Sequence, residues 1–342
     1  MAENDGRWRK LALSGGAILG AAAAYNAFAR KGVDKLSNLI GGEEGGFDWR
    51  GHRIAFTRRG SGPPILLIHG IHAAAWSYEW HDNADDLARG NTVYTIDLLG
   101  FGRSDRPAIR YSARLYISLI SDFVHQVIAE PCVLVATSLS GAYATVLVAR
   151  DPQRFPAIVL IAPTGLVRLN KTSGVGGEAG RLAVEAPIVG TAMFNSLVSR
   201  RSIRNWLERT YSDDTIVTDD LVEIYYWTSH QRGARHAPAA FISGNLNIDV
   251  RQALRRLTQP TLVIWGEEGS ITPVEEFRGF RGVKPNIELA VLTPAGDLPH
   301  DERPDDFNVI LSTWLNRLSL SSARTRDTLP GTQEVSQPTS QL

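Results

Sequence analysis

The 342-residue chain has one cysteine, Cys132, so it can form no internal disulfide and no cysteine-based metal site. Its place at the start of an apolar strand pattern reads as a small buried hydrophobe. Net charge is missing too. Thirty-six basic residues balance 36 acidic ones, with no basic patch interleaved with aromatics, which sets nucleic acid aside as a partner. His52, His81, His125, His230 and His236 show no metal-ligand spacing such as His-Glu-x-x-His, so neither a metal nor another cofactor is expected. Internal repeats are lacking. What remains is a chain 43% hydrophobic, long enough for one large α/β core with an insertion.

Leu11 to Ala29 carries no charge over 19 residues and is flanked by Arg7, Arg9 and Lys10 before it and Arg30 and Lys31 after it. As a helix it extends about 28 Å, close to the hydrocarbon thickness of a bilayer. Alanine and glycine dominate it and Asn26 interrupts it, so insertion is marginal. Ala27-Phe28-Ala29 also fits a small-x-small cleavage site. A retained membrane anchor, a cleaved signal and a soluble helix all stay open; the anchor is carried forward, with its orientation unassigned. Lys31 to Gly46, with two Gly-Gly pairs, reads as a linker, so residues 1–46 form an anchor and linker.

Two strand patterns follow, Phe47 to His52 and Arg53 to Arg58, then the continuously apolar Ile65 to Ile68. Val93 to Ile96, Val133 to Ala136 and Ile158 to Ile161 are apolar as well. Such runs suit the middle of a parallel sheet covered on both faces. Helical periodicity intervenes, as in Leu115 to Ile128, and the alternation predicts a doubly wound, mostly parallel sheet. From Thr164 to Asn245 the alternation gives way to helical pattern carrying Trp206, Tyr211, Tyr225, Tyr226 and Trp227. It resumes with Thr261 to Trp265 and Ile287 to Leu292 and closes with a helix from Pro304 to Leu318. The predicted core is therefore 47–163 and 246–320, with a helical lid inserted at 164–245. Most of the lid aromatics are expected in its own core, with at least one facing a pocket. Ser321 to Leu342 is polar and aperiodic, a disordered tail.

Within this frame, Val133-Leu134-Val135-Ala136-Thr137-Ser138-Leu139-Ser140-Gly141-Ala142 reads as a strand turning sharply into a helix. Small residues two before and two after Ser138 allow the strained turn of a nucleophile elbow, although glycine is usual at both positions. His69-Gly70 follows the third strand, and Asp97-Leu98-Leu99-Gly100-Phe101-Gly102-Arg103-Ser104-Asp105 the fourth. In these three runs, from about Phe47 to Leu318, the chain resembles a lidded member of the α/β-hydrolase superfamily. The resemblance implies Ser138 as nucleophile and the backbone N–H groups of Ile71 and Leu139 as the oxyanion hole. It gives Asp97 and Asp105 the part of stabilising their loop.

Two parts of the family's machinery are replaced. Where the family has Gly-Glu-x-Asp-x-x-x-Pro, this chain has Gly266-Glu267-Glu268-Gly269-Ser270-Ile271-Thr272-Pro273, so the expected acid is Gly269. Glu268 stands one residue earlier and reads as solvated surface. Where the family has Gly-His-x-Pro-His, this chain has Gly296-Asp297-Leu298-Pro299-His300, so Asp297 stands in place of the histidine. Losing that imidazole removes the group suited to proton transfer near neutrality. Three substitutes are candidates: His300 swinging toward Ser138, His72 acting from beside the oxyanion loop, and Asp297 itself with a pKa raised by burial. The structural alternatives are packing for His300 and a loop lining for His72.

The sequence thus predicts a membrane-anchored serine hydrolase with a degenerate triad, acting on a carboxylic ester or carbon–carbon bond in a small or lipid-like apolar substrate. A catalytically silent fold binding an apolar ligand or a partner at the membrane is the rival. Haloalkane chemistry is disfavoured, since it uses a carboxylate where Ser138 stands.

Overall fold

The computed structural model describes residues 2–33, 35–171 and 174–327, with the backbone alone for 2–14 and 320–327. Its eight strands are β1 (Glu43–Trp49), β2 (His52–Arg59), β3 (Pro64–Ile68), β4 (Thr92–Ile96), β5 (Val133–Thr137), β6 (Ile158–Ile161), β7 (Thr261–Gly266) and β8 (Glu288–Leu292). They form one sheet in the order β1-β2-β4-β3-β5-β6-β7-β8. β2 runs antiparallel to both β1 and β4, and all other pairs are parallel.

The apolar strands are explained by period-two alternation between two cores. Leu66, Ile68, Leu134, Ala136, Leu160 and Val263 face one, and Ile65, Leu67, Val135, Val159, Ile161 and Ile264 the other.

The helices are α1 (Ala2–Ala29), α2 (Ala84–Leu87), α3 (Ala113–Phe123), α4 (Ser138–Arg150), α5 (Val175–Glu185), α6 (Val189–Leu197), α7 (Arg200–Thr210), α8 (Asp219–Ser229), α9 (His236–Ile242), α10 (Arg251–Arg256), α11 (Phe277–Val283), α12 (Pro299–Glu302) and α13 (Pro304–Asp327). The helical pattern at Leu115 to Ile128 is α3 followed by a π-turn over Val124–Ile128. Helices α5 to α9 lie between β6 and β7 and build their own core around Phe194, Ile203, Leu207, Tyr211 and Tyr225. Tyr226 is buried as well, while Trp227 is exposed.

Two expectations from the sequence need correction. The linker stops short of Gly46, because β1 begins at Glu43. Gly45 belongs to the strand for a packing reason: a Cβ there would lie 2.1 Å from the ring of Phe56, which crosses β1 from β2. At the other end, helix α13 runs to Asp327, so Ser321 to Asp327 are helical rather than disordered. The expected tail from 328 to 342 lies outside the described residues.

Among the described residues, no helix is long and apolar enough to cross a membrane. Helix α1 is docked at its foot. The Asn26 amide donates to Ile188 O at 2.9 Å and its Oδ1 accepts from Asn195 at 3.0 Å, while the Tyr226 hydroxyl donates to Ala29 O at 2.6 Å. The residue that interrupts the apolar run is thus satisfied by α6 and the turn before it. Ile18, Leu19 and Phe28 remain exposed.

Candidate active site

Ser138 sits where β5 ends and α4 begins, with φ of 53°. This left-handed backbone costs a non-glycine residue roughly 1–3 kcal/mol and lifts the side chain out of the strand–helix corner. The corner is tight: a Cβ on Gly141 would lie 3.3 Å from both Ala136 O and Leu160 Cδ2. Ser140, at a usual glycine position, does more than fit. Its hydroxyl donates to His69 O at 2.6 Å, tying α4 to the loop after β3.

That loop is fixed from several sides. His69 Nε2 accepts the Leu98 N–H at 3.0 Å, so Nδ1 carries the proton and donates to Gly70 O at 2.7 Å. The Gly70 carbonyl shares a planar peptide with the Ile71 N–H, which points the opposite way. His69 thereby orients the first expected oxyanion donor. The Gly70 N–H in turn donates to both carboxylate oxygens of Glu79 at 3.1 Å each. Leu139, the second expected donor, lies in the first turn of α4, where helical N–H groups have no intrahelical acceptor and the dipole favours negative charge.

Ser138, His72, Asp297 and Ile71 line a common cavity of about 390 Å³. Ala162, Leu169, Trp206, Phe241, Ile271 and Leu298 make it largely apolar. Trp206 and Phe241 are the aromatics of the helical insert that line the cavity. Polar handles are few. The Thr137 and Thr164 hydroxyls line the cavity and are buried without a hydrogen-bond partner. Larger cavities, about 1090 Å³ at the amino ends of the strands and about 830 Å³ beside α1, contain none of these site residues.

Asp297, at the position where the family resemblance leads one to expect a histidine, is an anchored carboxylate. Asp297 Oδ1 accepts from Thr272 N at 2.7 Å, and Oδ2 accepts from Ser270 N at 3.1 Å and Ile271 N at 2.9 Å. Burial raises its pKa, and the three backbone donors offset that only in part. A Cβ on Gly269 would come within 3.2 Å of Asp297 Oδ1. The two positions where the sequence was expected to depart from the family pattern therefore meet in one place: the loop after Gly269 closes on the Asp297 carboxylate.

His72 projects from the oxyanion loop and stacks on Trp206, with ring centroids 4.5 Å apart, and on Tyr225 at 6.0 Å. Burial lowers its pKa to about 4, against the opposing pull of Glu79. The ring is thus neutral at pH 7. His300 takes a different place from the one expected of a swinging base. It is fully buried, packed against Trp80 at 4.4 Å and near Phe307, with Nε2 3.4 Å from Glu79 Oε1, and it does not line the cavity. Neither histidine, nor Asp297, makes a hydrogen bond to the Ser138 hydroxyl.

Glu268 is exposed and accepts from Ala295 N at 2.7 Å, outside the cavity. Asp97 holds Ser77 N at 2.8 Å and Arg103 Nε at 2.8 Å, and Asp105 receives Arg53 N at 2.8 Å, so both shape loops. Glu79 had no signal in the sequence, because it lies in a short turn among aromatics. Burial opposes its charge, but His300, followed by His69 and His72, outweighs that and leaves its pKa below the usual value.

A sequence model described as the Alpha/beta hydrolase family matches residues 65–309. A 2-hydroxymuconate semialdehyde hydrolase of Pseudomonas sp. strain CF600 is 28% identical over 236 residues, 66% of this chain and 77% of that protein. A serine hydrolase of carbazole degradation superposes with a TM-score of 0.67 at 23% identity, over 80% of this chain and 98% of its own. A membrane phospholipase A gives a TM-score of 0.67 at 22% identity, over 92% of this chain and 97% of its own. The elbow at Ser138, the sheet order and the match over 65–309 together make this chain a member of the alpha/beta hydrolase family.

Proposed function

We propose that this protein is a serine hydrolase with a rebuilt proton-transfer apparatus, cleaving a carboxylic ester or an activated carbon–carbon bond in a small or lipid-like apolar substrate. The observation that carries the reading is the shared cavity: Ser138 at φ 53° faces the same apolar space as the neutral imidazole of His72. In this scheme Ser138 Oγ attacks the substrate carbonyl and passes its proton to His72 Nδ1, which gives up its long, 3.4 Å hydrogen bond from Ala74 N to accept it. The N–H groups of Ile71 and Leu139 stabilise the oxyanion, and the protonated His72 gives its proton to the departing alkoxide or carbanion as the acyl bond breaks. Water, passing a proton to His72, then releases the acyl group and restores the serine. The Thr137 and Thr164 hydroxyls give an apolar substrate two polar contacts.

An imidazole held near pKa 4 accepts a proton weakly, so turnover is slow. Asp297 serves the loop at 270–272 rather than the serine, since three backbone donors already occupy its carboxylate. Helices α5 to α9 act as the lid, with Trp206 and Phe241 closing the cavity. Helix α1 holds the chain at a membrane. Its exposed Ile18, Leu19 and Phe28, and a fold likeness to the membrane phospholipase A over 92% of the chain, support that placement.

A second reading has its own support. With no side chain among the described residues hydrogen-bonded to the Ser138 hydroxyl, and with Asp297 closed off, the fold suits a catalytically silent protein that binds an apolar ligand or partner at the membrane. Reaction of the purified protein with a fluorophosphonate, beside Ser138→Ala, separates the two. Native labelling lost in the variant supports the hydrolase, and absence of labelling supports the binder.

A further inference from the structure

The cavity of about 830 Å³ lies between the foot of α1, the helical insert and the loop after β4, away from Ser138. Arg30, Arg106, Arg232, Arg235, His230 and His236 line it, and no carboxylate does. None of these four arginines takes part in an ion pair among the described residues. The carboxylate whose charge reaches Arg235 and His236 is Glu185, which is already engaged by Arg181.

Several of the lining nitrogens are buried and unsatisfied. Among the described residues, Arg106 Nε, Arg235 Nε and His236 Nδ1 have no hydrogen-bond partner. His230 lines the cavity as a neutral ring whose Nδ1 donates to Tyr226 O at 2.9 Å, so the anion-binding groups are the arginines and His236. The terminal nitrogens of Arg106 reach Gly102 O and, at 3.5 Å, Ser104 O, so that guanidinium is held in place while its Nε stays open. Buried donors left open, beside guanidinium groups with no carboxylate partner, are destabilising. Grouped around one cavity, they are resolved together by a multivalent anion, and guanidinium forks match phosphate oxygens.

We propose that this cavity is a binding site for a phosphate group, carried either by a free phosphate compound or by a lipid headgroup. Tetrahedral, doubly charged phosphate suits four guanidinium groups better than a single carboxylate does. Asn26, Ala27 and Arg30 bring the end of the apolar α1 to the rim, the position where a headgroup would meet the folded part of the chain.

The test is calorimetric titration of the full chain in mild detergent, at fixed ionic strength in chloride. The probes are inorganic phosphate, glycerol 3-phosphate, dihexanoyl phosphatidic acid and, as an uncharged control, dihexanoylglycerol. Saturable one-to-one binding of a phosphate-bearing probe, weakened at least about tenfold by Arg232→Gln with Arg235→Gln, is expected, with the unfolding midpoint in chloride unchanged. Equal affinity for glycerol 3-phosphate and the lipid assigns a free phosphate compound. Tighter binding of the lipid assigns a headgroup. Arg30→Gln, at an exposed position, supplies the same readout if the double variant fails to fold. No saturable binding, binding unaltered by the substitutions, or equal binding of dihexanoylglycerol overturns the proposal.

Discussion

Asp297 Oδ1 lies 2.7 Å from the backbone nitrogen of Thr272, so the carboxylate at 297, where the family resemblance leads one to expect a histidine, closes the loop in which it leads one to expect the acid. Gly269, beside that contact, leaves the carboxylate room. Asp297→Ala should strand three backbone donors and destabilise the protein by about 2–4 kcal/mol, given roughly 1 kcal/mol or more per charged hydrogen bond lost. Chemical denaturation checks this.

The coupling between 269 and 297 also predicts non-additivity. Gly269→Asp alone should destabilise, by steric approach to Asp297 Oδ1 and by like charge. Combined with Asp297→His, the penalty should shrink by at least about 1 kcal/mol relative to the sum of the single changes. The double variant should also gain esterase activity by about 100-fold or more, the typical contribution of a general base, measured with a short-chain nitrophenyl ester.

Ser140→Ala should loosen the oxyanion loop by removing the hydrogen bond to His69 O. The expected loss is about 1 kcal/mol or somewhat more, because a buried carbonyl is left unpaired. Thermal unfolding measures it, and fluorophosphonate labelling should slow in parallel.

The pH dependence follows from His72. As the base it must be unprotonated, and burial places its pKa at about 4, so labelling of Ser138 should stay level from neutral pH down to about 5 and fall as pH drops through 4. A histidine of ordinary pKa would give a decline near 6.5. Stability follows the same residue together with His230, also lowered to about 4 by burial. The unfolded chain takes up protons first as pH falls below 6.5, so this stabilisation is full above 6.5 and is lost between there and about 4. Denaturant titrations at pH 7, 5.5 and 4 read that loss.

The sheet was legible because its strands are apolar on both faces, and Ile158 to Ile161 matches β6 at both ends. Ser138 was legible because its elbow has a strict steric signature. Less visible were features that depend on approach across the fold. Gly45 and Gly46 look like a linker until Phe56 is seen lying over β1. His300 looks like a candidate base until its ring is found between Trp80 and Phe307. Glu79 carries no motif, yet it holds the Gly70 N–H from nine residues away. The positions 269 and 297 read in the sequence as two separate departures from the expected pattern. Only the loop's closure on Asp297 joins them.

The most direct measurement is the rate of fluorophosphonate labelling of the purified full chain, compared with Ser138→Ala, His72→Ala and His300→Ala. The account predicts native-only labelling that disappears in Ser138→Ala, falls by about 100-fold or more in His72→Ala and survives in a folded His300→Ala. Labelling that is absent in the native protein, or unchanged in His72→Ala, would contradict it.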